Sequence, residues 1–295
     1  MELRLTPKQL AQATGVSESS IKRWCDSGEI ATIRTPGGHR RIPLSGAIEF
    51  LRDSEHELLA PEALGLPVGM RRSALPLNEA AEQFRNAVEA NQEERARQIL
   101  FELYLQQTPL ATIGDRIIAP AFQRIGHRWE EGTLEVFQER RALEITRNLL
   151  HEIRLAQRAP VSTDPLAMGG TLSGDNYALA AILVELVLRE SGWRAVFLGS
   201  NLPAESMATA VREEQPKLYW VSVSHIENET QFLADYGQLS KVSGERTALV
   251  VGGRGLHAQL RQKMRFSAHC ETLGHLETFA KTLKAAHGGT ASTCD

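Results

Sequence analysis

The stretch Ile21-Lys22-Arg23-Trp24, followed after a short interval by Arg34-Thr35-Pro36-Gly37-Gly38-His39-Arg40-Arg41-Ile42, decides how the front of this chain is read. It sets a basic helix beside a basic Gly-Gly hairpin. Two neighbouring cationic elements suit a surface of regularly spaced phosphates, and the commonest such surface is duplex DNA. From Ile30 to Ile42 the charge is entirely positive, whereas residues 1–53 as a whole carry eight Lys/Arg against six Asp/Glu.

The flanking residues supply helix punctuation. Thr6 is a candidate N-cap with Pro7 in the first helical position, and Leu10 and Ala13 fall on the inner face. Gly15-Val16 turns the chain, Ser17 caps a second helix, and Gly28 ends it. An extended segment from Ile30 to Arg34 turns at Pro36-Gly37-Gly38 and returns over Arg40–Ile42. Pro43-Leu44-Ser45 starts a last helix that ends near Leu51. The second helix is expected to show Ser19, Ser20, Lys22 and Arg23 outward while Val16, Ile21 and Trp24 fix it. Arg34, His39, Arg40 and Arg41 would then sit on a wing that reaches phosphates or the minor groove.

Beyond residue 53 the pattern changes twice. Residues 54–76 lose periodicity and gather Pro61, Gly65, Pro67, Gly69 and Pro76, which reads as a linker. Residues 77–158 give four helical stretches, at 77–90, 93–106, 109–131 and 134–157, with short breaks that suit an antiparallel four-helix bundle. After Pro160, strands are expected at 166–171, 195–198, 218–223 and 247–251, with a weaker one near 271–273. Helices at 177–190, 204–214, 229–240, 256–264 and 276–286 fill the intervals. Apolar strands alternating with helices mean a parallel sheet covered on both faces. The expected fold class is multidomain, α plus α/β: a winged helix-turn-helix at 1–53, the linker, the bundle at 77–158, and a Rossmann-like, flavodoxin-like doubly wound sheet at 159–290. Residues 291–295 are expected to fray as a tail.

The bulk numbers exclude several classes. Net charge is −3 over 295 residues, so any nucleic-acid binding must come from local placement of charge. Cys25, Cys270 and Cys294 form no CxxC pair, which argues against a disulfide framework or zinc cluster and for a reducing compartment. No charged-then-apolar leader opens the chain, and its most apolar run, residues 178–188, is short and contains Glu185. A soluble cytoplasmic protein without a membrane partner is expected.

Leu5, Leu10-Ala11, Gly15-Val16-Ser17, the Ile21–Trp24 run, Gly28 and Thr35–Ile42 together closely resemble the MerR-family winged DNA-binding domain over about fifty residues. The resemblance implies a double-stranded operator as partner and a dimer on a palindrome. A protein partner is a further possibility for the regulatory half. Metal-sensing members follow the wing with a long dimerising helix and effector cysteines, which this chain lacks.

The order of linker, bundle and doubly wound domain resembles the cobalamin- and light-responsive branch of the same regulators, and is also similar to the cobalamin module of methionine synthase. That family carries Asp-x-His-x-x-Gly at the first strand-to-helix turn, where the His ligates cobalt and the Gly leaves a channel for the nucleotide tail. Here the same place reads Asp175-Asn176-Tyr177-Ala178-Leu179-Ala180. A neutral imidazole is a good cobalt ligand; a phenol with a pKa near 10 stays protonated and is a poor one. Ser222-Val223-Ser224 and Gly252-Gly253 match the family's strand-end Ser and Gly-Gly elements. The family's Trp-x9-Glu-His becomes Trp129 with Glu139-Arg140, so the second His is also gone. Each of these residues has a plainer reading as a core aromatic, a strand-end hydroxyl or a turn glycine.

The candidate cleft residues are therefore Trp129, Glu139, Arg140, Asp175, Tyr177, Ser222, Ser224, Gly252 and Gly253, with no metal ligand assigned. His225, at a strand end, is the residue placed to substitute as a ligand, against the plainer reading of an ordinary hydrogen bond. Three outcomes stand open: a sensor fold that no longer takes cobalamin in the usual way, cobalamin held weakly or with its own base, or another ligand. A DNA-binding regulator rather than an enzyme is expected, since no nucleophile–base pair or paired carboxylates stand in a convincing context. A corrinoid carrier or enzyme module is the competing class, and a protein-interaction scaffold is a third.

Overall fold

The structure is a computed structural model that describes residues 3–54, 56–70, 75–244 and 246–289. Cys294 and the tail at 291–295 lie outside the described residues. The chain divides into two compact units, Met1–Ala159 and Pro160–Asp295.

In the first unit, β1 (Arg4–Leu5) leads into α1 (Pro7–Thr14) and α2 (Glu18–Ser27); then come β2 (Ile33–Arg34), β3 (Arg40–Pro43) and α3 (Leu44–Asp53). Local chemistry sets these bounds. The Thr6 hydroxyl accepts the Gln9 amide at 3.2 Å and the Gln9 side chain takes the Thr6 amide at 2.8 Å, a reciprocal cap. Ser17 Oγ accepts the Ser20 amide, and Gly28, at φ 85°, closes α2 where a side chain would be strained. Pairing is antiparallel in the order β1-β3-β2, with Ile33 opposite Arg41 and Arg34 opposite Arg40. Leu5, Leu10, Ile21, Ile30, Ile42, Ile48 and Leu51 bury fully to form a small core. Trp24 is only half-buried and packs on Phe50 and His56, with ring centres 5.2 and 5.4 Å away.

Residues 59–70 of the stretch expected as a linker are tied down. The Leu59 and Ala60 amides donate to the Ala13 carbonyl, and a 3₁₀ turn at Pro61–Leu64 buries Leu64. Arg97 donates to the Gly65 carbonyl at 2.8 Å, and Leu66 and Met70 are buried. Low periodicity reflects a turn-rich path across the surface rather than freedom from it.

The helices that follow are α4 (Leu77–Glu89), α5 (Glu93–Leu105), α6 (Leu110–Ile113), α7 (Ala119–Glu130) and α8 (Val136–Ala156). Asn91, Gln107 and Gly132 make their turns with positive φ. The sequence predicts one helix over 109–131, whereas a π-turn at Gly114–Ile118 divides it into α6 and α7. Pro120, which has no amide to donate, stands just beyond that turn and accounts for the slipped register. Phe84, Ile99, Ile113, Ile125 and Leu149 fill the interior. Glu89 pairs with Arg128, and Glu152 with Arg97 at 2.6 Å.

The second unit runs β4 (Leu166–Gly170), α9 (Leu179–Glu190), β5 (Arg194–Phe197), α10 (Ala204–Glu214), β6 (Leu218–Ser222) and α11 (Glu229–Ser243). β7 (Ala248–Gly252), α12 (Ala258–Arg261), β8 (Ala268–Cys270) and α13 (Leu273–Gly289) complete it. All pairings are parallel, in the order β5-β4-β6-β7-β8. This is the flavodoxin-like doubly wound sheet, and its strand order reverses between β4 and β6. The last strand lies at 268–270 rather than 271–273, because Glu271 and Thr272 turn the chain into α13. One face packs Met168, Met207, Tyr219, Val221, Phe232, Tyr236, Val251 and Leu260 together. The other face, which α9 and α13 cover, holds Trp220 lying over Gly169. No helix among the described residues is long and apolar enough to cross a membrane.

Candidate nucleic-acid interface and sensor cleft

α2 and the wing bring the expected DNA-facing residues onto one small head. Ser19, Lys22, Arg23, Arg34 and His39 are exposed; Ser20, Arg40 and Arg41 are half-buried. They are not equally available. Ser19 and Ser20 both lie within hydrogen-bond reach of the Ser17 cap hydroxyl, at 2.9 and 3.0 Å. Lys22 pairs with Glu18 one turn earlier at 2.8 Å, and that ammonium holds the Glu18 carboxyl below its usual range. Arg23 and Arg41 make no ion pair with a described residue; Arg41 donates only to the Arg40 carbonyl.

The wing turn is closed by the Thr35 amide on the His39 carbonyl and the Gly38 amide on the Thr35 carbonyl, with Gly38 at φ 75°. Arg34 and Arg40 both reach Asp26 on α2. Arg40 does so through Nε at 3.0 Å and Nη2 at 2.7 Å, and Arg34 through Nη2 at 2.9 Å. Asp26 was not singled out from sequence. Its partners are eight and fourteen residues away, and the only local signal is one acid facing a wholly basic hairpin.

In the second unit a cleft of about 200 Å³ opens at the carboxyl ends of β4 and β6, lined in part by Leu172, Asp175, Ser222, Val223, His225 and Phe232. It sits at the switch point of the strand order, where open α/β sheets bind ligands. Asp175 is 3% exposed and ties the two loops together. Its Oδ1 accepts the Tyr177 amide at 3.0 Å, and its Oδ2 accepts the amides of Ser224 at 2.6 Å and His225 at 3.3 Å. Burial pushes this carboxyl above its usual range, against the pull of those amides. Thr171 Oγ1 and the Asn201 amide in turn bind the Asp175 carbonyl. Neither Thr171 nor Asn201 was picked out from sequence, although an Asn holding φ 58° is a recognisable turn device.

The remaining cleft candidates divide. Ser222 is buried and lines the cleft; Ser224 is not part of the lining and is tied to it only through its amide on Asp175. Tyr177 is half-buried beside Asp175, with the Arg254 guanidinium 5.9 Å from its ring centre. Gly252 and Gly253 are accounted for by the packing of the chain. A Cβ at Gly252 would stand 2.6 Å from the Cys270 carbonyl, and one at Gly253 would strike the Val223 carbonyl. Cys270 is an inert thiol, pushed up to about 11 by burial. Trp129, Glu139 and Arg140 belong to the first unit. Trp129 is 48% exposed at the end of α7, so it is no core aromatic, and exposed Val136 and Phe137 follow it. Arg140 pairs with Glu139 at 3.3 Å.

The residues standing in the family's ligand places do not supply the usual cobalt ligand, while His225 brings an imidazole to the cleft wall. Tyr177 offers a phenol beside a guanidinium, and the Asp175 carboxylate is engaged by three amides.

A winged helix-turn-helix joined to helices and a doubly wound sheet defines a class, a DNA-binding transcription regulator with a B12-binding-type domain. Residues 4–53 match the helix-turn-helix domain family and residues 80–153 the B12 binding domain family. The chain is similar to the HTH-type transcriptional repressor CarH of Myxococcus xanthus, 25% identical over 277 residues, covering 88% of this chain and 92% of that protein. It is also similar to CarA of the same organism, 22% identical over 268 residues, covering 88% and 90%. These relatives are transcriptional repressors rather than enzymes. Among solved structures, the monomethylamine corrinoid protein of Methanosarcina barkeri shares the fold, with a TM-score of 0.59 and 15% identity over 70% of this chain and all of that one.

Proposed function

We propose that the chain is a cytoplasmic repressor that docks on a palindromic operator as a dimer, with α2 in the major groove and the wing against the flanking backbone. One head of this size offers a small interface, so useful specificity needs two half-sites. The observation that carries the docking face is the pair of cations left without an acidic partner among the described residues, Arg23 on α2 and Arg41 on the wing. Ser19, Ser20, Lys22 and His39 complete that face, with Arg34 and Arg40 beside it on Asp26. Arg23→Ala and Arg41→Ala should each weaken affinity for an operator duplex by about 1–3 kcal/mol, with Arg41→Ala also flattening the salt dependence by about one unit of slope. Fluorescence anisotropy across a salt series reads both effects, and unchanged binding in both variants refutes the face.

For the regulatory half, we propose a B12-type sensor fold that works without cobalt held by the protein. Tyr177 in the place of an imidazole supports this reading. Control then passes to another ligand in the cleft lined by Asp175, Ser222 and His225, or to a protein partner. The B12 binding domain match over residues 80–153 favours a second reading, in which cobalamin binds with its own base retained.

A further inference from the structure

We infer that Asp26 is a positioning residue of the DNA-reading head: it sets the wing against α2 and withdraws Arg34 and Arg40 from phosphate binding. This rests on the docking face proposed above. Asp26 sits one turn beyond Arg23, near the end of α2, and its carboxylate carries two guanidiniums from the two strands of the hairpin. Arg40 grips it two-pronged through Nε and Nη2, a geometry that fixes both distance and plane. Arg34 and Arg40 stand opposite each other in the β2–β3 register, so one carboxylate holds both strands at the same level. The Asp26 carboxyl lies below its usual range and the Arg40 guanidinium above its own, each held there by the other.

Charge arithmetic points the same way. Two guanidiniums on one carboxylate leave a single net positive charge where the sequence alone shows two. The cations carrying no acidic partner among the described residues are then Arg41 on β3 and Arg23 on the helix. Exposed ion pairs contribute little to stability, so the value of this one lies in orientation. Each arginine keeps several N–H donors free, and geometry rather than reach separates its role from that of Arg41.

The test uses the full chain and two duplexes: one enriched by the wild-type protein from a random library, and one of mixed sequence and equal length. For Asp26→Asn, which frees both guanidiniums, binding to the mixed duplex should tighten and its salt slope steepen by up to about one. The ratio of enriched-site to mixed-sequence affinity should fall about tenfold. Arg40→Lys keeps the charge but loses the fork, and should reduce that ratio as much as Arg40→Ala does. Arg41→Ala should flatten the slope on both duplexes. The clamp is overturned if Arg40→Lys behaves as wild type while Arg40→Ala flattens the slope as far as Arg41→Ala. It is also overturned if the ratio for Asp26→Asn stays within twofold of wild type. Silence of Arg23→Ala and Arg41→Ala on both duplexes overturns the docking face itself, and the clamp with it. Arg40→Lys, which leaves Asp26 in place, keeps the question answerable if Asp26→Asn unfolds the head.

Discussion

Trp220→Ala is expected to lower the stability of the α/β unit by about 3–5 kcal/mol, the usual cost of deleting a large buried aromatic. Trp220 lies at 2% exposure in the middle of β6, between β4 and β7, with its ring over Gly169. The two residues are complementary, since Gly169 lacks the Cβ that would collide with that ring and with the Trp220 carbonyl. Truncation leaves a void that a glycine neighbour cannot fill, so the site cannot collapse cheaply. The indole Nε1 has no hydrogen-bond partner, which separates packing from polarity. Trp220→Phe should therefore cost no more than about 1.5 kcal/mol. Urea denaturation followed by amide circular dichroism measures both; a cost for Trp220→Ala under about 1 kcal/mol would show that α9 and α13 re-close over the gap.

Asp175→Ala is expected to cost about 2–4 kcal/mol, because it strands the three backbone amides that its buried carboxylate accepts. Those amides come from the α9 entry and from the end of β6, so their loss uncouples the two lips of the cleft. Asp175 also gives the unit a pH dependence of defined sign. Its folded value lies above the ordinary 3.8 because burial outweighs the amides. The folded state therefore takes up the proton more readily than the unfolded chain does. That contribution is complete below the unfolded value and is lost as pH rises through the folded one. The difference in stability between wild type and Asp175→Asn should accordingly shift against the wild type on going upward from about pH 4, and denaturation series in acetate and phosphate buffers would register it. A difference that is flat with pH, or a cost for Asp175→Ala under about 0.5 kcal/mol, would remove Asp175 from this role.

Much of the fold was legible because its signals are local. Thr6, Ser17 and Gly28 punctuate the head as capping chemistry requires. The apolar rhythm placed α4, α5, α8, α10 and β6 within a few residues of where they lie. The misses share a physical cause. The π-turn at Gly114–Ile118 keeps the helical pattern while shifting its register, so periodicity alone cannot reveal it. β8 is a three-residue edge strand whose pairing with β7, rather than its composition, makes it a strand.

The candidate sites divide along the same line. Asp175 and Ser222 were named on their resemblance to the family's motif, and both line the cleft at the carboxyl ends of the strands. Gly252 and Gly253 matched a ligand motif, yet close backbone packing against Cys270 and Val223 is reason enough for them. Asp26 and Asn201 act through partners distant in sequence, and so does Thr171 in accepting the Asn201 amide; no spacing rule announces such ties.

The most direct check on this account is to incubate the full chain in the dark with a slight excess of hydroxocobalamin, separate it by gel filtration, and record the visible spectrum of the protein peak. With a phenol where an imidazole would be needed, the peak should emerge colourless. One equivalent of red corrinoid travelling with the protein would contradict it.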